Sequence, residues 1–66
     1  MIYKVSYVVQ DGKHPGTIRN ETRYPAVGET AKIGKHSFEI LEVLELIPPR
    51  GDFAYLHVTC RIKGEG

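Results

Sequence analysis

The chain has 66 residues, of which 41% are hydrophobic and 26% are charged, and its formal net charge at pH 7 is +1. These values are typical of one small globular domain; they exclude a disordered or membrane-spanning chain and argue against a dedicated, strongly basic nucleic-acid-binding domain. A domain of this size buries only about 60% of the surface of its unfolded chain. We therefore predict a single domain over residues 1–66 that is not an enzyme and binds no small-molecule cofactor.

Cys60 is the one cysteine in the chain, so no internal disulfide can form. The segment at residues 2–5 alternates like a strand and lacks the long apolar region of a signal peptide. No apolar run approaches the length of a membrane span. These observations predict a cytoplasmic protein without a membrane partner.

The first half of the chain predicts one strong strand and one weak strand. Residues 2–9 alternate with period two, which is typical of a half-buried strand. Residues 10–16 are rich in turn formers and predict a loop. Residues 17–24 lie between turn signals and contain Thr and Ile, so they predict an edge strand. The buried face of the first strand would carry Tyr3, Val5, Tyr7 and Val9.

A tight hairpin is predicted at Gly34-Lys35, which separates two apolar-rich segments. Glycine at the first position of a two-residue turn favours type II′, because that position requires a positive φ. Strands are therefore expected on both sides of the turn.

The segment at residues 38–47 has two interpretations. Glutamates at spacing three could form the solvated side of a helix over residues 37–47, with Ser37 as its N-cap. Alternatively, Phe38 and Ile40 share one face of a strand, and a one-residue shift of phase afterwards is typical of a β-bulge. We favour a long bent strand, because the tight turn before it needs a pairing partner. The glutamates are Glu39, Glu42 and Glu45.

The last third of the chain predicts a loop, a strand and a tail. Two prolines remove two backbone donors from residues 48–52, which predicts a loop. Residues 53–62 alternate without interruption and predict the clearest strand in the chain. Residues 63–66 are expected to be a flexible tail.

These elements predict an all-β fold, a small five-stranded antiparallel barrel with a bent fourth strand. The order of strand, long loop, weak strand, tight hairpin and final strand, with the approach to the hairpin at residues 27–34, resembles that of SH3-like small barrels. The alternatives are an OB-like barrel, or an α+β fold with a three-stranded sheet and a helix at residues 37–47.

One candidate binding surface follows from the second face of the final strand, where Tyr55, His57 and Arg61 combine an aromatic ring with basic groups. Small barrels hold single-stranded nucleic acid with such residues, by stacking bases and pairing phosphates. Nearby loops and edges would add positive charge, since residues 1–37 contain six Lys/Arg against three Asp/Glu. The added residues would be Arg19, Arg23 and Lys35.

A protein-interaction module or subunit is the function we favour over nucleic-acid binding. Exposed apolar residues on the second face of the first strand, Ile2 and Val8, would join Phe53 and Tyr55 in an adhesive surface. The weak edge at residues 17–24 would also accept an added strand. This interpretation predicts self-association or a protein partner. A metal site is not predicted, because the one His-x-x-Cys motif would place its side chains on opposite faces of a strand.

Overall fold

The computed structural model describes residues 1–13 and 15–64, and all regular structure in that part of the chain is β-strand. Five strands form one sheet in the order β2-β1-β5-β4-β3, which curls into a half-barrel. The predicted all-β class is therefore confirmed, and the helix considered for residues 37–47 is excluded because a strand occupies them. The strands are β1 (Ile2–Val9), β2 (Thr17–Glu21), β3 (Thr30–Ile33), β4 (His36–Arg50) and β5 (Phe53–Gly64).

The sheet is mixed, because β1 and β5 run parallel while the other three pairs of strands are antiparallel. The sequence predicted a wholly antiparallel barrel, and that prediction is wrong for the pairing of β1 with β5. β1 and β5 are the two strands with the most continuous apolar faces, and their pairing brings both to the middle of the sheet. Burial at the centre is the usual setting of parallel strands.

The β3–β4 hairpin has the predicted geometry. Ile33 pairs with His36, so Gly34 and Lys35 alone form the turn. Gly34 has φ +62° and Lys35 has a negative φ. This pair of signs is that of a type II′ turn, whereas a type I′ turn would need both angles positive.

A β-bulge bends β4 at the predicted place. Ile40 pairs with Cys60, and the next pair is Glu42 with Thr59, so Leu41 is an extra residue. After the bulge Val43 faces Val58 on the inner side of the sheet. The bulge therefore keeps the apolar residues on both sides of Leu41 directed toward the interior.

The predicted loop at residues 48–52 is much shorter in the structure. β4 continues to Arg50, and only Gly51, with φ +61°, and Asp52 form the turn to β5. Pairing passes directly from Ile47 opposite Tyr55 to Arg50 opposite Phe53, so both prolines lie in an irregular part of the ladder. β3 pairs only with residues 36–39 of β4. The proline segment therefore lies on an edge, where a missing backbone donor is tolerated.

β5 continues through Gly64, so it includes the first half of the segment predicted to be a flexible tail. Residues 65–66 lie outside the described residues.

The core lies on the concave side of the sheet and consists of two adjoining clusters. Alternate residues of β1 and β5 supply most of it, as their period-two pattern predicted. Phe38 and Leu56 are among the largest of the fully buried side chains. The buried members are Val5, Tyr7, Ala31, Ile40, Leu56 and Val58 in one cluster, and Val9, Phe38 and Cys60 in the other.

Gly16 precedes β2 and passes so close to β1 that a side chain has no room. A Cβ atom there would collide with the carbonyl oxygen of Tyr7 and lie 3.5 Å from the Cα of Val8. We expect Gly16→Ala to lower the free energy of unfolding by about 1–3 kcal/mol, because backbone must move. Urea unfolding followed by circular dichroism measures this change.

Gly12→Ala is the matched control for this substitution. Its Cβ would lie in open space, and only the positive φ of +70° opposes it. That conformation costs alanine about 1 kcal/mol. Equal losses in the two variants would contradict the close approach of Gly16 to β1.

Candidate interaction surface

The convex side of the sheet forms the candidate surface. Residues paired across adjacent strands lie on the same side of a sheet, so the register of β2, β1, β5 and β4 determines which side chains point outward. We call this surface the outer face. Its residues are Ile18 and Asn20 of β2; Ile2, Lys4, Ser6 and Val8 of β1; Phe53, Tyr55, His57, Thr59 and Arg61 of β5; and Glu39, Glu42 and Leu44 of β4.

Apolar side chains occupy much of the outer face and remain accessible to solvent. Five of them, spread over four adjacent strands, are 39% to 64% exposed. Their combined exposed area is on the order of 400 Å². These five residues are Ile2, Val8, Ile18, Leu44 and Phe53.

Tyr55 stands at the centre of the outer face and is held from two sides. The ring of Phe53 meets it edge to face, with ring centroids 4.8 Å apart and an interplanar angle of 81°. The Nζ atom of Lys4 lies 5.9 Å from the centroid of the Tyr55 ring. Aromatic pairing and a cation–π contact both restrict the ring. The face therefore presents ordered aromatic groups.

The six residues predicted to form one binding surface fall into three places. Tyr55, His57 and Arg61 share the outer face, as the alternation of β5 predicted. Arg61 is not free there, since its Nη2 atom lies 2.8 Å from Oε1 of Glu39 and its Nε donates to the same oxygen at 2.9 Å. Lys35 lies in the β3–β4 turn. Arg19 and Arg23 are on the open side of the half-barrel.

Arg19 crosses that open side, which lies between the edge strands β2 and β3 and which we call the seam. Its Nη1 donates a 2.8 Å hydrogen bond to the carbonyl oxygen of Lys32 in β3. Its guanidinium carbon lies 5.2 Å from the ring centroid of Tyr7, and its Nε is 3.3 Å from Oε1 of Glu21. Arg19 thus joins the two edges of the sheet and belongs to the structure of the barrel.

The seam contains a polar cleft of about 310 Å³. Its charges are paired within the chain: Arg23 Nη2 lies 2.8 Å from Oε2 of Glu29, and the backbone N–H of Ala26 donates to Oε1 of Glu29 at 3.0 Å. Burial raises the pKa of Tyr7, and Glu21 raises it further, while Arg19 acts in the opposite direction. These pairs leave the cleft with little net charge.

Elsewhere in the described part of the chain, titratable groups do not assemble into a metal or nucleophilic site. Cys60 is buried in the core, with its Sγ atom 3.5 Å from the carbonyl oxygen of Val8, and burial raises the pKa of its thiol. His57 projects from the opposite side of β5. Within residues 1–13 and 15–64, no three His, Cys, Asp or Glu side chains come together as metal ligands would.

We expect the Cys60 thiol to react with an aromatic disulfide reagent at least about 100-fold more slowly in the folded chain than in urea, because a buried thiol is inert. Absorbance of the released thiolate measures the rate. Val27→Cys supplies an accessible control thiol, since Val27 is 65% exposed. Equal rates for Cys60 and the control thiol would contradict the burial of Cys60.

Two members of the outer face could not be identified from the sequence. The helical interpretation places Leu44 on the apolar side, and in a strand the orientation of Leu44 depends on the exact position of the bulge at Leu41. Ile18 was recognised only as part of a weak edge strand. The signal that could have found Ile18 is the alternation within β2, where Arg19 turns inward and its neighbour Ile18 turns outward.

The fold and this surface define a small all-β domain with an exposed apolar sheet face. No protein-family model, curated protein or solved structure matches the chain. In the described part of the chain, no helix has the length and apolar character needed to cross a membrane.

Proposed function

We propose that this chain is a non-enzymatic protein-interaction module or subunit that docks through its outer face. The observation that carries this proposal is the set of five apolar side chains, spread over four adjacent strands of the outer face, that are 39% to 64% exposed. Exposed apolar groups collected on one face are a common feature of interaction sites.

The composition of the outer face supports protein docking. Interfaces combine an apolar or aromatic centre with a polar rim, and Tyr and Trp are frequent anchors. Tyr55 and Phe53 supply aromatic groups, and Leu44 lies beside His57 farther along the face. The ion pair between Arg61 and Glu39 lies at one end of the face, where it contributes little net charge. The face is therefore suited to a partner surface that is itself apolar.

Hydroxyl-radical footprinting with mass spectrometry tests this proposal without knowledge of the partner. The isotope-labelled chain is oxidised in dilute buffer and again in a concentrated cell extract. We expect oxidation of Phe53 and Leu44 to fall severalfold in the extract, because docking removes them from solvent. Tyr24 and Val27, which lie outside the outer face, serve as internal controls: the extract itself scavenges radicals, so oxidation of Phe53 and Leu44 is measured relative to oxidation of these two residues.

An unchanged ratio of Phe53 and Leu44 oxidation to Tyr24 and Val27 oxidation, or a ratio that rises in the extract, would contradict the outer face as the docking surface. A Leu44→Asp variant sharpens the result. A charge in place of an apolar side chain within a docking surface must be desolvated on docking, so the protection of Phe53 should fall in this variant.

Nucleic-acid binding is the second candidate, and the specific observation in its favour is that Tyr55, His57 and Arg61 share one face with Lys4. Such a face could stack bases and contact phosphates. Two observations weigh against it, since Glu39 neutralises Arg61 and the other predicted cations lie elsewhere. These two observations support docking of a protein on the outer face over binding of nucleic acid there.

We expect an oligothymidylate to bind with a Kd weaker than about 100 µM at physiological salt, since few phosphates can be neutralised. Fluorescence anisotropy measures this affinity. The contrary result is tight binding that falls steeply with salt and is lost in a Tyr55→Ala, Arg61→Ala double variant.

A further inference from the structure

We propose that a second site, separate from the outer face, binds a small aromatic carboxylate at one end of the half-barrel. The site is an apolar cleft of about 320 Å³ beside the β3–β4 turn, and we call it the hairpin cleft. Its volume is at the lower end of the range for small-ligand sites. The residues that line it are Pro15, Ile33, Gly34, Lys35, His36 and Phe38.

The strand register explains why residues from distant parts of the chain line this cleft. The loop at residues 10–16 follows β1, and the last residue of β1, Val9, pairs with Cys60 of β5. Two residues farther along β5, Ile62 pairs with Phe38, which comes shortly after the β3–β4 turn. The loop and the turn therefore lie at the same end of the sheet, and both contribute to the hairpin cleft.

The deepest part of the hairpin cleft is continuous with the core. Phe38 is 2% exposed and packs with Val9 and Cys60, and Ile33 packs against the same cluster. Because packed core side chains interdigitate with few voids, this part of the cleft is formed before a ligand arrives.

Rings dominate the apolar lining and favour an aromatic ligand. The imidazole of His36 meets the Phe38 ring at an interplanar angle of 64°, with ring centroids 6.2 Å apart. The pyrrolidine ring of Pro15 also lines the cleft. Aromatic groups pack well against other rings in edge-to-face or offset arrangements. A planar aromatic group is therefore the apolar part of the ligand that this lining suits.

Positive charge at the rim of the hairpin cleft favours an anion. Lys35 is exposed in the turn and lines the cleft, so its ammonium can donate to a carboxylate. The described residues at this end, in the ranges 10–13, 15–16, 32–36 and 62–64, contain four lysines against one aspartate. The seam cleft differs, because its arginines are paired with Glu21 and Glu29.

Titration of the ¹⁵N-labelled chain with 2-naphthoate, followed by nuclear magnetic resonance, tests this site. We expect saturable shifts of the amides of Ile33, Gly34 and Lys35, with a Kd of roughly 0.1–1 mM for a ligand of about 13 non-hydrogen atoms. The uncharged analogue 2-naphthalenemethanol should bind at least about threefold more weakly, because it cannot pair with the ammonium. Acetate, which lacks the ring, should not saturate.

Lys35→Ala should weaken the binding of 2-naphthoate about threefold to fivefold, which is the loss expected for one exposed ion pair. Arg23→Ala is the matched control, because it removes one positive charge from the seam, where the Arg23 side chain is 80% exposed. Its Kd should stay within about 1.5-fold of the wild-type value. Circular dichroism will verify that both variants fold.

Shifts that do not saturate by about 10 mM, or that centre on Ile2 and Phe53 of the outer face, would overturn the hairpin cleft as a binding site. Equal affinities for 2-naphthoate and 2-naphthalenemethanol, or for the wild type and Lys35→Ala, would overturn the selection of a carboxylate. Docking at the outer face is measured independently by the oxidation of Phe53 and Leu44, so either proposal can fail while the other stands.

Discussion

Phe38→Ala should lower the free energy of unfolding by about 3–5 kcal/mol, whereas Phe53→Ala should lower it by about 1 kcal/mol. Phe38 is 2% exposed and packs in the core with Val9 and Cys60. Truncation of a buried phenylalanine removes its transfer free energy and leaves a cavity. Phe53 is 39% exposed on the outer face, where it contacts the Tyr55 ring. A chain of this length is stabilised by only about 3–10 kcal/mol in total, so the Phe38 variant should lose most of its stability.

Urea titration followed by far-ultraviolet circular dichroism compares the two phenylalanine variants under identical conditions. The deleted atoms are the same, so the difference between the variants isolates the effect of burial. Similar midpoints for Phe38→Ala and Phe53→Ala would contradict the assignment of one ring to the core and the other to the surface.

Arg19→Ala should destabilise the chain by about 1.5–3 kcal/mol, which is typical of losing a hydrogen bond from a charged group. The substitution removes the link between β2 and the carbonyl oxygen of Lys32 in β3, and it also removes the contact with Tyr7. The β2 edge then loses one charge that hinders edge-to-edge pairing, and the Lys32 carbonyl oxygen on the β3 edge loses its donor. We therefore also expect Arg19→Ala to aggregate at concentrations where the wild type does not.

Arg23→Ala is the matched control at the seam, because the Arg23 side chain is 80% exposed. Its loss should change stability by less than about 0.5 kcal/mol, as is usual for a surface ion pair. A tyrosine titration adds an independent measurement. Arg19 lowers the pKa of Tyr7, so Arg19→Ala should raise it. Equal destabilisation by both arginine variants would contradict the structural role of Arg19.

Local pattern made most of the strands predictable. Alternation predicted β1 at residues 2–9, and the glycine in the Gly34-Lys35 turn predicted the hairpin, because both depend on neighbouring residues alone. The phase shift near Leu41 predicted the bulge in β4. The loop at residues 48–52 was predicted too long, because proline is tolerated on an edge, and only the completed sheet shows that this segment is an edge.

Non-local pairing accounts for what the sequence left undetermined. The parallel contact of β1 with β5 joins strands from opposite ends of the chain, and no local residue specifies it. Likewise, Arg19 binds a backbone carbonyl 13 residues away, so its charge was mistaken for an available binding group. Alternation did predict that Tyr55, His57 and Arg61 share a face. The apolar residues that β2 and β4 contribute to this face, Ile18 and Leu44, could be assigned to it only from the pairing of the strands.

Size-exclusion chromatography of the fluorescently labelled chain in a concentrated cell extract, at low and high salt, tests the docking role of the outer face most directly. We expect the wild-type chain to elute in a complex larger than the monomer at both salt concentrations and after nuclease treatment, because apolar contacts resist salt. Leu44→Asp should move the chain to the monomer position, and Val27→Asp, outside the face, should leave its elution unchanged. A complex that Leu44→Asp leaves intact, or one that nuclease treatment disperses, would contradict the account.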